Sequence, residues 1–258
     1  MHPGKRSLLF VPLCVAALNS AAAGTCSRPV YLTFDTGHMG IAPLVAEVLK
    51  RQDVRVTFFL ADERTLDGGS SLDGAQAGWW KARAAEGHAF GSHTRDHLRW
   101  LADRPDGRFE MRPDAGAKAG KRLTVDAAAY CTQLAAPAER FKAMTGQTML
   151  PLFRAPGGKT SPKLLAAAAS CGWTHVGWSD AGFLGDELPS ERFPNDQLLR
   201  RALARISAGD ILLAHLGIHD RKDPWAPAVL EPLIEGLKAR GLCFATLREH
   251  PRYGAAAK

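Results

Sequence analysis

Cysteine is scarce in this chain, and its cysteines do not form the paired spacing of a thiolate metal site. Only 5 of the 258 residues are cysteine, and no two of them are arranged as C-x-x-C. This scatter argues against a cysteine zinc site. The chain also lacks internal repeats, linkers and any basic segment interleaved with aromatic residues. We therefore expect a single domain with no nucleic-acid partner.

Long apolar runs are also missing, except at the N-terminus. There, basic residues at positions 5 and 6 precede an apolar stretch at 7–19 and small residues at 20–24. The stretch is too short for a comfortable transmembrane helix, and this order is typical of a secretory signal. We expect a signal peptide at 1–24 and a periplasmic or secreted mature domain at 25–258. A retained N-terminal anchor is the alternative.

The remaining cysteines agree with export. Removal of the signal would leave Cys26, Cys131, Cys171 and Cys243. An even number in an oxidising compartment favours two disulfides, and the sequence does not choose among the three ways to pair them. The formal net charge of +7 would fall to +5 without Lys5 and Arg6. A positive net charge suits an anionic cell-envelope polymer as partner.

The chain alternates between short β-branched or aromatic runs and segments with apolar residues at helical spacing. We predict strands at 30–34, 55–60, 89–92, 152–154, 174–178, 210–215 and 243–246. We predict helices at 41–50, 79–86, 124–145, 162–170, 196–207 and 226–240. Regular alternation of this kind implies parallel strands with crossover helices, in an open sheet or a barrel.

Polar residues follow five of these strands: Asp35, His93, Arg154, Asp180 and His215. Side chains from five strands converge best where the carboxyl ends of the strands form one rim, which favours a barrel over an open sheet. Residues 103–123 break the rhythm with Gly, Pro, Asp and basic residues. We interpret them as an insertion near the rim, either a substrate loop or a solvated excursion.

The segment Gly91-Ser-His-Thr-Arg-Asp-His97 holds two histidines four residues apart. On a helical turn, positions i and i+4 lie on one face, so both imidazoles would point at the same ion. Neutral imidazole is a common ligand of zinc. We therefore predict that His93 and His97 bind a metal.

Five segments in this order resemble the NodB-homology polysaccharide deacetylases, carbohydrate esterase family 4. They are Thr33-Phe-Asp-Thr-Gly37, Glu86-Gly-His-Ala-Phe-Gly-Ser-His-Thr-Arg-Asp-His97, Phe153-Arg-Ala-Pro-Gly-Gly158, Trp178-Ser-Asp180 and Asp210-Ile-Leu-Leu-Ala-His215. The similarity extends from about residue 30 to residue 247. It implies a distorted (β/α) barrel of about seven parallel strands that removes N- or O-acetyl groups from glycans.

The resemblance also implies roles for individual residues. His93 and His97 would hold a divalent metal, most simply zinc, with cobalt, nickel or manganese as alternatives. Asp35 corresponds to the catalytic base, Arg154 to the arginine that orients it, and His215 to the general acid. Asp180 corresponds to the carboxylate partner of that acid. Leu213 would line the acetyl pocket with Trp178 or Phe183, for which packing in the core is an equal alternative.

The chain departs from the family pattern at two places. Thr36 stands where the family has a second aspartate that binds the metal, and a hydroxyl is a poor ligand in comparison. Water, Asp35 or His38 could fill the vacancy, although a solvated loop position is the simpler interpretation of His38. Gly157 stands where the family has a tyrosine. Its backbone N–H could still donate to an oxyanion, while the lost ring leaves a roomier sugar subsite.

These observations favour an exported metal-dependent hydrolase that deacetylates a polysaccharide, with peptidoglycan amino sugars as the leading substrate. Two alternatives are open. One is a hydrolase of small cyclic amides with the same fold. The other is a glycan-binding homologue that lost tight metal binding through Thr36. The glycan, the bond type, the metal and the oligomeric state are not fixed by the sequence.

Overall fold

The computed structural model describes residue 1, residues 26–218 and residues 221–257. Apart from Met1, the predicted signal peptide lies outside the described residues. The strands are β1 (Pro29–Asp35), β2 (Thr57–Leu60), β3 (Ala89–Ser92), β4 (Leu98–Asp103), β5 (Phe109–Pro113), β6 (Leu123–Val125), β7 (Leu152–Phe153), β8 (Thr174–His175), β9 (Ile211–His215) and β10 (Cys243–Phe244). The α-helices are α1 (Ala42–Arg51), α2 (Ala77–Ala85), α3 (Ala127–Thr145), α4 (Pro162–Ser170), α5 (Asn195–Arg205) and α6 (Leu230–Ala239).

Seven strands form one parallel sheet in the order β10-β1-β2-β3-β7-β8, and β9 pairs with the second half of β1 beside β10. Backbone bonds from Leu213 to Gly182 and from Leu184 to Leu213 join the segment after β8 to β9. These bonds bring the two edges of the sheet together. The predicted α/β fold, a distorted barrel of about seven parallel strands, is confirmed.

The central strand β1 is buried along almost its whole length, and it is apolar except at Thr33 and Asp35. Residues 30–35 of β1 are all buried, as expected for a parallel sheet with helices packed against it. In α1 the buried residues Val45, Val48 and Leu49 recur at helical spacing and face the core. Because these strands are parallel, their carboxyl ends all lie at the same rim of the sheet.

Strand β8 is shorter than the predicted strand at 174–178. The physical reason lies in the next two residues. The carbonyl oxygens of Val176 and Gly177 accept hydrogen bonds from the guanidinium of Arg154. They are therefore turned toward a side chain, and the strand ends early.

The predicted insertion at 103–123 is not an irregular excursion. Residues 98–125 contain a three-stranded antiparallel sheet of order β4-β5-β6. One face of it is apolar, and Leu98, Phe109 and Met111 pack with Tyr130 and Leu134 of α3. The interpretation of this segment as a solvated excursion is wrong, because the sheet buries one face against the barrel's helices.

Two disulfides connect distant parts of the chain. Cys26 pairs with Cys243, and Cys131 pairs with Cys171. This selects one of the three pairings that the sequence left open. The first bridge links the segment before β1 to the start of β10, and the second links α3 to the end of α4. Among the described residues, no helix is both long and apolar enough to cross a membrane.

Candidate active site and metal centre

A cavity of about 900 Å³ opens at the carboxyl ends of the parallel strands. Four of the predicted catalytic or metal-binding residues line it, namely Asp35, His93, His97 and His215. Gly157, Trp178 and Leu213, the predicted substrate-binding residues, line it as well. The strand ends therefore meet at one rim, as expected for a barrel.

Asp35 ends β1 and is held by a buried arginine. Nη1 of Arg154 donates to Oδ1 of Asp35 at 2.8 Å, and the Arg154 side chain is fully buried. The guanidinium also lies 4.4 Å from the ring centroid of Phe59, a cation–π contact. Burial alone would raise the pKa of Asp35, but the charges around it, led by Arg154, hold that pKa below its usual value. Asp35 is therefore a fixed carboxylate.

The two histidines of the H-x-x-x-H segment lie on a turn between β3 and β4, so the predicted helical turn is wrong. Thr94 and His97 have positive φ angles of 60° and 47°. The turn is held by α3, whose Gln133 binds the backbone of Arg95 and Asp96. The rings nevertheless lie close together, with centroids 4.8 Å apart.

Both imidazoles are bound through Nδ1, which leaves Nε2 to face the cavity. His93 Nδ1 lies 2.9 Å from the carbonyl oxygen of Arg154, to which it donates. His97 Nδ1 lies 2.8 Å from Oδ2 of Asp114, a residue of the β4-β5-β6 sheet region. Burial lowers the pKa of His93 to about 4, so its ring is neutral at pH 7. A fixed, neutral imidazole is the form that binds metal ions.

His215 ends β9, directly beside Asp35 on the neighbouring strand. Its partner is Asp186, whose Oδ2 accepts from the His215 backbone N–H at 2.6 Å and lies 3.2 Å from Nδ1. Burial alone would lower the pKa of His215, but the Asp186 carboxylate in particular raises it to about 9. The ring is therefore charged at neutral pH.

The predicted pairing of Asp180 with His215 is not what the structure has. Asp180 is exposed and does not line the cavity, whereas Asp186 is buried. The chain between them passes along β9 through the bonds of Gly182 and Leu184. This path places Asp186, and not Asp180, beside His215. The only signal in the sequence is a second acidic residue six positions further on.

Thr36 is buried, and its hydroxyl is already engaged. It donates to Oε2 of Glu63 and accepts from the backbone N–H of Ala61 at 3.2 Å. Thr36 does not line the cavity, but Glu63 does. Glu63 follows β2, and the sequence prediction missed it. His38 is buried and lines the cavity, so its interpretation as a solvated loop residue is wrong.

The segment after Arg154 lines the cavity through Ala155 and Gly157. Gly157 has φ 69°, and a Cβ there would lie 3.1 Å from Nη1 of Arg99. The neighbouring Gly158 packs under Trp178, where a Cβ would lie 2.4 Å from the ring. Only glycine fits both positions without moving a neighbour. Phe183 does not line the cavity and instead forms a parallel bridge with Leu213.

The donor atoms suit a divalent metal, although the site is not closed in advance. Among the described residues, no group of three or more His, Cys, Asp or Glu side chains is placed to hold an ion. His93 and His97 nevertheless both line one cavity, and each has Nδ1 fixed by an oxygen acceptor. This is the usual arrangement of metal-binding histidines. The two histidines therefore fit the role of ligands.

The family model of the polysaccharide deacetylases matches residues 22–176, more than half of the chain. The chain belongs to the polysaccharide deacetylase family. The predicted family is thus confirmed. The match spans the predicted site residues from Asp35 to Gly157, whereas Asp180 and His215 lie beyond it.

Two curated members of the family are similar over most of their length. The chitooligosaccharide deacetylase of Azorhizobium caulinodans is 25% identical over 244 residues, covering 90% of this chain and 100% of that protein. The peptidoglycan-N-acetylglucosamine deacetylase of Bacillus cereus is 24% identical, covering 87% of this chain and 88% of that protein.

Solved structures of polysaccharide deacetylase relatives share the fold. A family 4 acetyl xylan esterase from Clostridium thermocellum, in complex with a cobalt ion, has a TM-score of 0.62 at 22% identity, covering 86% of this chain and 89% of that one. A carbohydrate esterase family 4 pseudoenzyme from Bacillus anthracis has a TM-score of 0.61 at 20% identity, covering 86% of this chain and 65% of that one. The fold therefore accommodates both a metal-bound esterase and a protein called a pseudoenzyme.

Proposed function

We propose that this chain is an exported, metal-dependent hydrolase that removes N-acetyl groups from peptidoglycan or a related amino-sugar glycan. Membership of the polysaccharide deacetylase family and the names of the two curated relatives support the substrate class. The N-terminal pattern and the two disulfides support export to an oxidising compartment.

His93 and His97 would hold the metal through their Nε2 atoms. When bound, a divalent ion lowers the pKa of water and polarises the acetyl carbonyl. Zinc is the proposed ion, because imidazole nitrogen and carboxylate oxygen are among its usual ligands. Cobalt is the natural substitute in an experiment, since it accepts the same ligands.

Asp35 would act as the general base. Arg154 occupies its Oδ1, and Oδ2 lies 3.5 Å from Nε2 of His93. The free oxygen and the proposed ligand atom are therefore neighbours. Asp35 would take a proton from the attacking water as the water oxygen bonds to the acetyl carbon. Its lowered pKa keeps the carboxylate ionised and ready at neutral pH.

His215 would act as the general acid. As the C–N bond breaks, it would donate its proton to the departing sugar nitrogen, giving acetate and a free amine. Asp186 keeps the imidazolium oriented and charged. An amine is a poor leaving group without this proton, which is why the reaction needs an acid beside the base.

The observation that carries the proposal is the pairing of Asp35 with His215 across neighbouring strands. Their Cα positions are in register on β1 and β9. Their environments push the two pKa values in opposite directions, one group ionised as a base and the other protonated as an acid. Two titratable groups separated in this way mark an acid–base pair.

The test is acetate release from a panel of acetylated glycans. The panel contains peptidoglycan, chitooligosaccharides and acetylated xylan, and a small cyclic amide and glycan binding are assayed alongside. Each substrate is incubated with chelated protein before and after zinc or cobalt is added. We expect release from the N-acetylated substrates that depends on added metal, and loss of that release in His93→Ala. Binding of glycans without acetate release would favour the glycan-binding alternative. Turnover of cyclic amides alone would favour the other hydrolase. Either result would overturn the proposal.

A further inference from the structure

Glu63 is an acidic residue of the cavity with a rigidly held backbone. Its N–H donates to the hydroxyl of Ser71 at 2.9 Å, and its carbonyl accepts from the Ser71 N–H at 2.8 Å. The adjacent residues Arg64 and Ser70 form a bridge that closes the loop. The position of the Cα of Glu63 is therefore fixed relative to β2.

The carboxylate is oriented through one oxygen only. Oε2 accepts from the Thr36 hydroxyl and from the Gly37 backbone N–H, the latter at 2.8 Å. Within the described residues, no hydrogen-bond donor contacts Oε1. The electrostatic neighbours that act on this carboxylate are His97 and His93. One oxygen is thus free, on a carboxylate that lines the same cavity as both proposed ligands and interacts electrostatically with them.

The other acids of the cavity have cationic partners or lie beside the proposed acid, and the free Oδ2 of Asp35 is the oxygen assigned to the base. Asp35 is paired with Arg154, Asp62 with Arg140, and Asp114 with Arg99 and His97. Glu187 lies 3.8 Å from Nε2 of His215, on the side of the proposed acid. Glu63 has no Lys or Arg within 4.0 Å in the described part of the chain. It is therefore the acid available to a cation at the histidine pair.

We propose that Glu63 is the third protein ligand of the divalent ion, beside His93 and His97, and that Thr36 presents it. This inference rests on the metal dependence proposed above. The carboxylate of the family's second aspartate is, on this view, replaced by one from the loop after β2. The set of two imidazoles and one carboxylate keeps its charge. The side chain is only partly buried, so it has the freedom to close on a bound ion.

The experiment measures zinc affinity of the full mature chain by competition with a chelator of known affinity. We compare the wild type with Glu63→Gln, which keeps the size of the side chain and removes its charge. The matched control is Asp62→Asn, which removes the neighbouring charge in the same cavity. We expect Glu63→Gln to weaken zinc binding by about 100-fold or more, because even the loss of a group that only orients a ligand costs about 10- to 100-fold. Asp62→Asn should stay within about 3-fold of the wild type.

A second pair of variants separates ligand loss from misfolding. Thr36→Asp combined with Glu63→Gln should recover most of the lost affinity, since it returns a carboxylate to the site. Thr36→Asp alone should raise zinc affinity above that of the wild type by much less than this recovery, because two carboxylates would then repel each other. The visible spectrum of the cobalt form should change in Glu63→Gln and stay unchanged in Asp62→Asn.

The proposal is overturned if Glu63→Gln binds zinc as tightly as the wild type. It is also overturned if the cobalt forms of Glu63→Gln and the wild type have the same visible spectrum. Acetate release, measured on the same preparations, reports separately on the proposed function. Unchanged affinity in Glu63→Gln together with normal acetate release in the wild type would reject Glu63 alone. An affinity loss in Glu63→Gln without acetate release from any glycan would reject the proposed function and retain the ligand.

Discussion

His93 and His215 line one cavity but are held in opposite protonation states. Burial keeps His93 neutral, with a pKa of about 4, and its Nδ1 donates to a backbone carbonyl. His215 faces the Asp186 carboxylate, which raises its pKa to about 9 despite burial. A neutral imidazole can bind a metal, whereas a charged one can donate a proton. The surroundings of each ring therefore support the role proposed for it.

The raised pKa of His215 predicts the alkaline limb of the pH profile. Because the active form carries the proton, kcat/KM should fall as pH rises through about 9. Asp186→Asn removes the main group that raises this pKa, so the limb should move to lower pH by more than about one unit. The measurement is kcat/KM for acetate release against pH, with both proteins loaded with zinc.

Asp180→Asn is the matched control for this profile, since Asp180 is exposed and lies outside the cavity. It should leave the limb where the wild type has it. An Asp186→Asn profile that superimposes on the wild type, or a shift in Asp180→Asn, would contradict the assignment of the partner.

The site residues that lie at the ends of strands were predictable from the sequence, whereas the site residues that lie on loops were not. Asp35, His93 and His215 follow strands, and parallel strands bring their carboxyl ends to one rim. Glu63, Asp114 and Asp186 reach the site through turns whose path depends on tertiary contacts. Nothing in the local spacing of these acids distinguishes them from solvated ones.

The β4-β5-β6 sheet is the element that sets this chain's site apart from a bare barrel. It carries Arg99 to the cavity wall beside Gly157 and positions Asp114 at the ring of His97. Its Gly, Pro and charged residues favoured a loop in the sequence. The contrary signal was the alternation along Phe109–Pro113, where buried and more exposed residues alternate. The strand β5 is short and has turn residues at both ends, so its alternation was missed in the sequence.

Asp114 provides a prediction at this scale. Asp114→Asn should weaken zinc binding by about 10- to 100-fold, because the carboxylate that fixes the orientation of His97 is lost. Competition with a chelator measures the change. Asp106→Asn is the control, since Asp106 belongs to the same small sheet region but, within the described residues, forms its ion pairs with Arg104 and Arg108. Equal affinities for Asp114→Asn and the wild type would show that the sheet does not support the metal site.

At the scale of the whole molecule, the two disulfides tie together segments that are far apart in the chain. Cys26 and Cys243 are 217 residues apart, and Cys131 and Cys171 are 40 apart. The longer bridge fastens the start of β1 to β10, which pairs with it. The number of disulfides was predictable from the count of cysteines, but their pairing required the register of β1 with β10 and the packing of α3 against α4.

Removing the longer bridge should cost more stability than removing the shorter one. We expect Cys26→Ser with Cys243→Ser to lower the free energy of unfolding by about 2–5 kcal/mol. Loop closure alone predicts that this loss exceeds that of Cys131→Ser with Cys171→Ser by about 1–2 kcal/mol. Urea denaturation of both variants measures the difference. A larger loss for the shorter bridge would show that local packing around α3 and α4 outweighs loop entropy.

The fold brings the proposed base, acid and ligands to one rim, and the proposed reaction starts at the carboxylate of Asp35. The most direct test is the rate of acetate release by zinc-loaded Asp35→Asn on an N-acetylated glycan that the wild type turns over. Because Asn cannot accept the proton, kcat should fall by about 10²- to 10⁴-fold. Measurements of zinc affinity and of thermal unfolding check that the variant is folded and loaded with zinc. Turnover at the wild-type rate by the zinc-loaded variant would contradict the role of Asp35 as the general base.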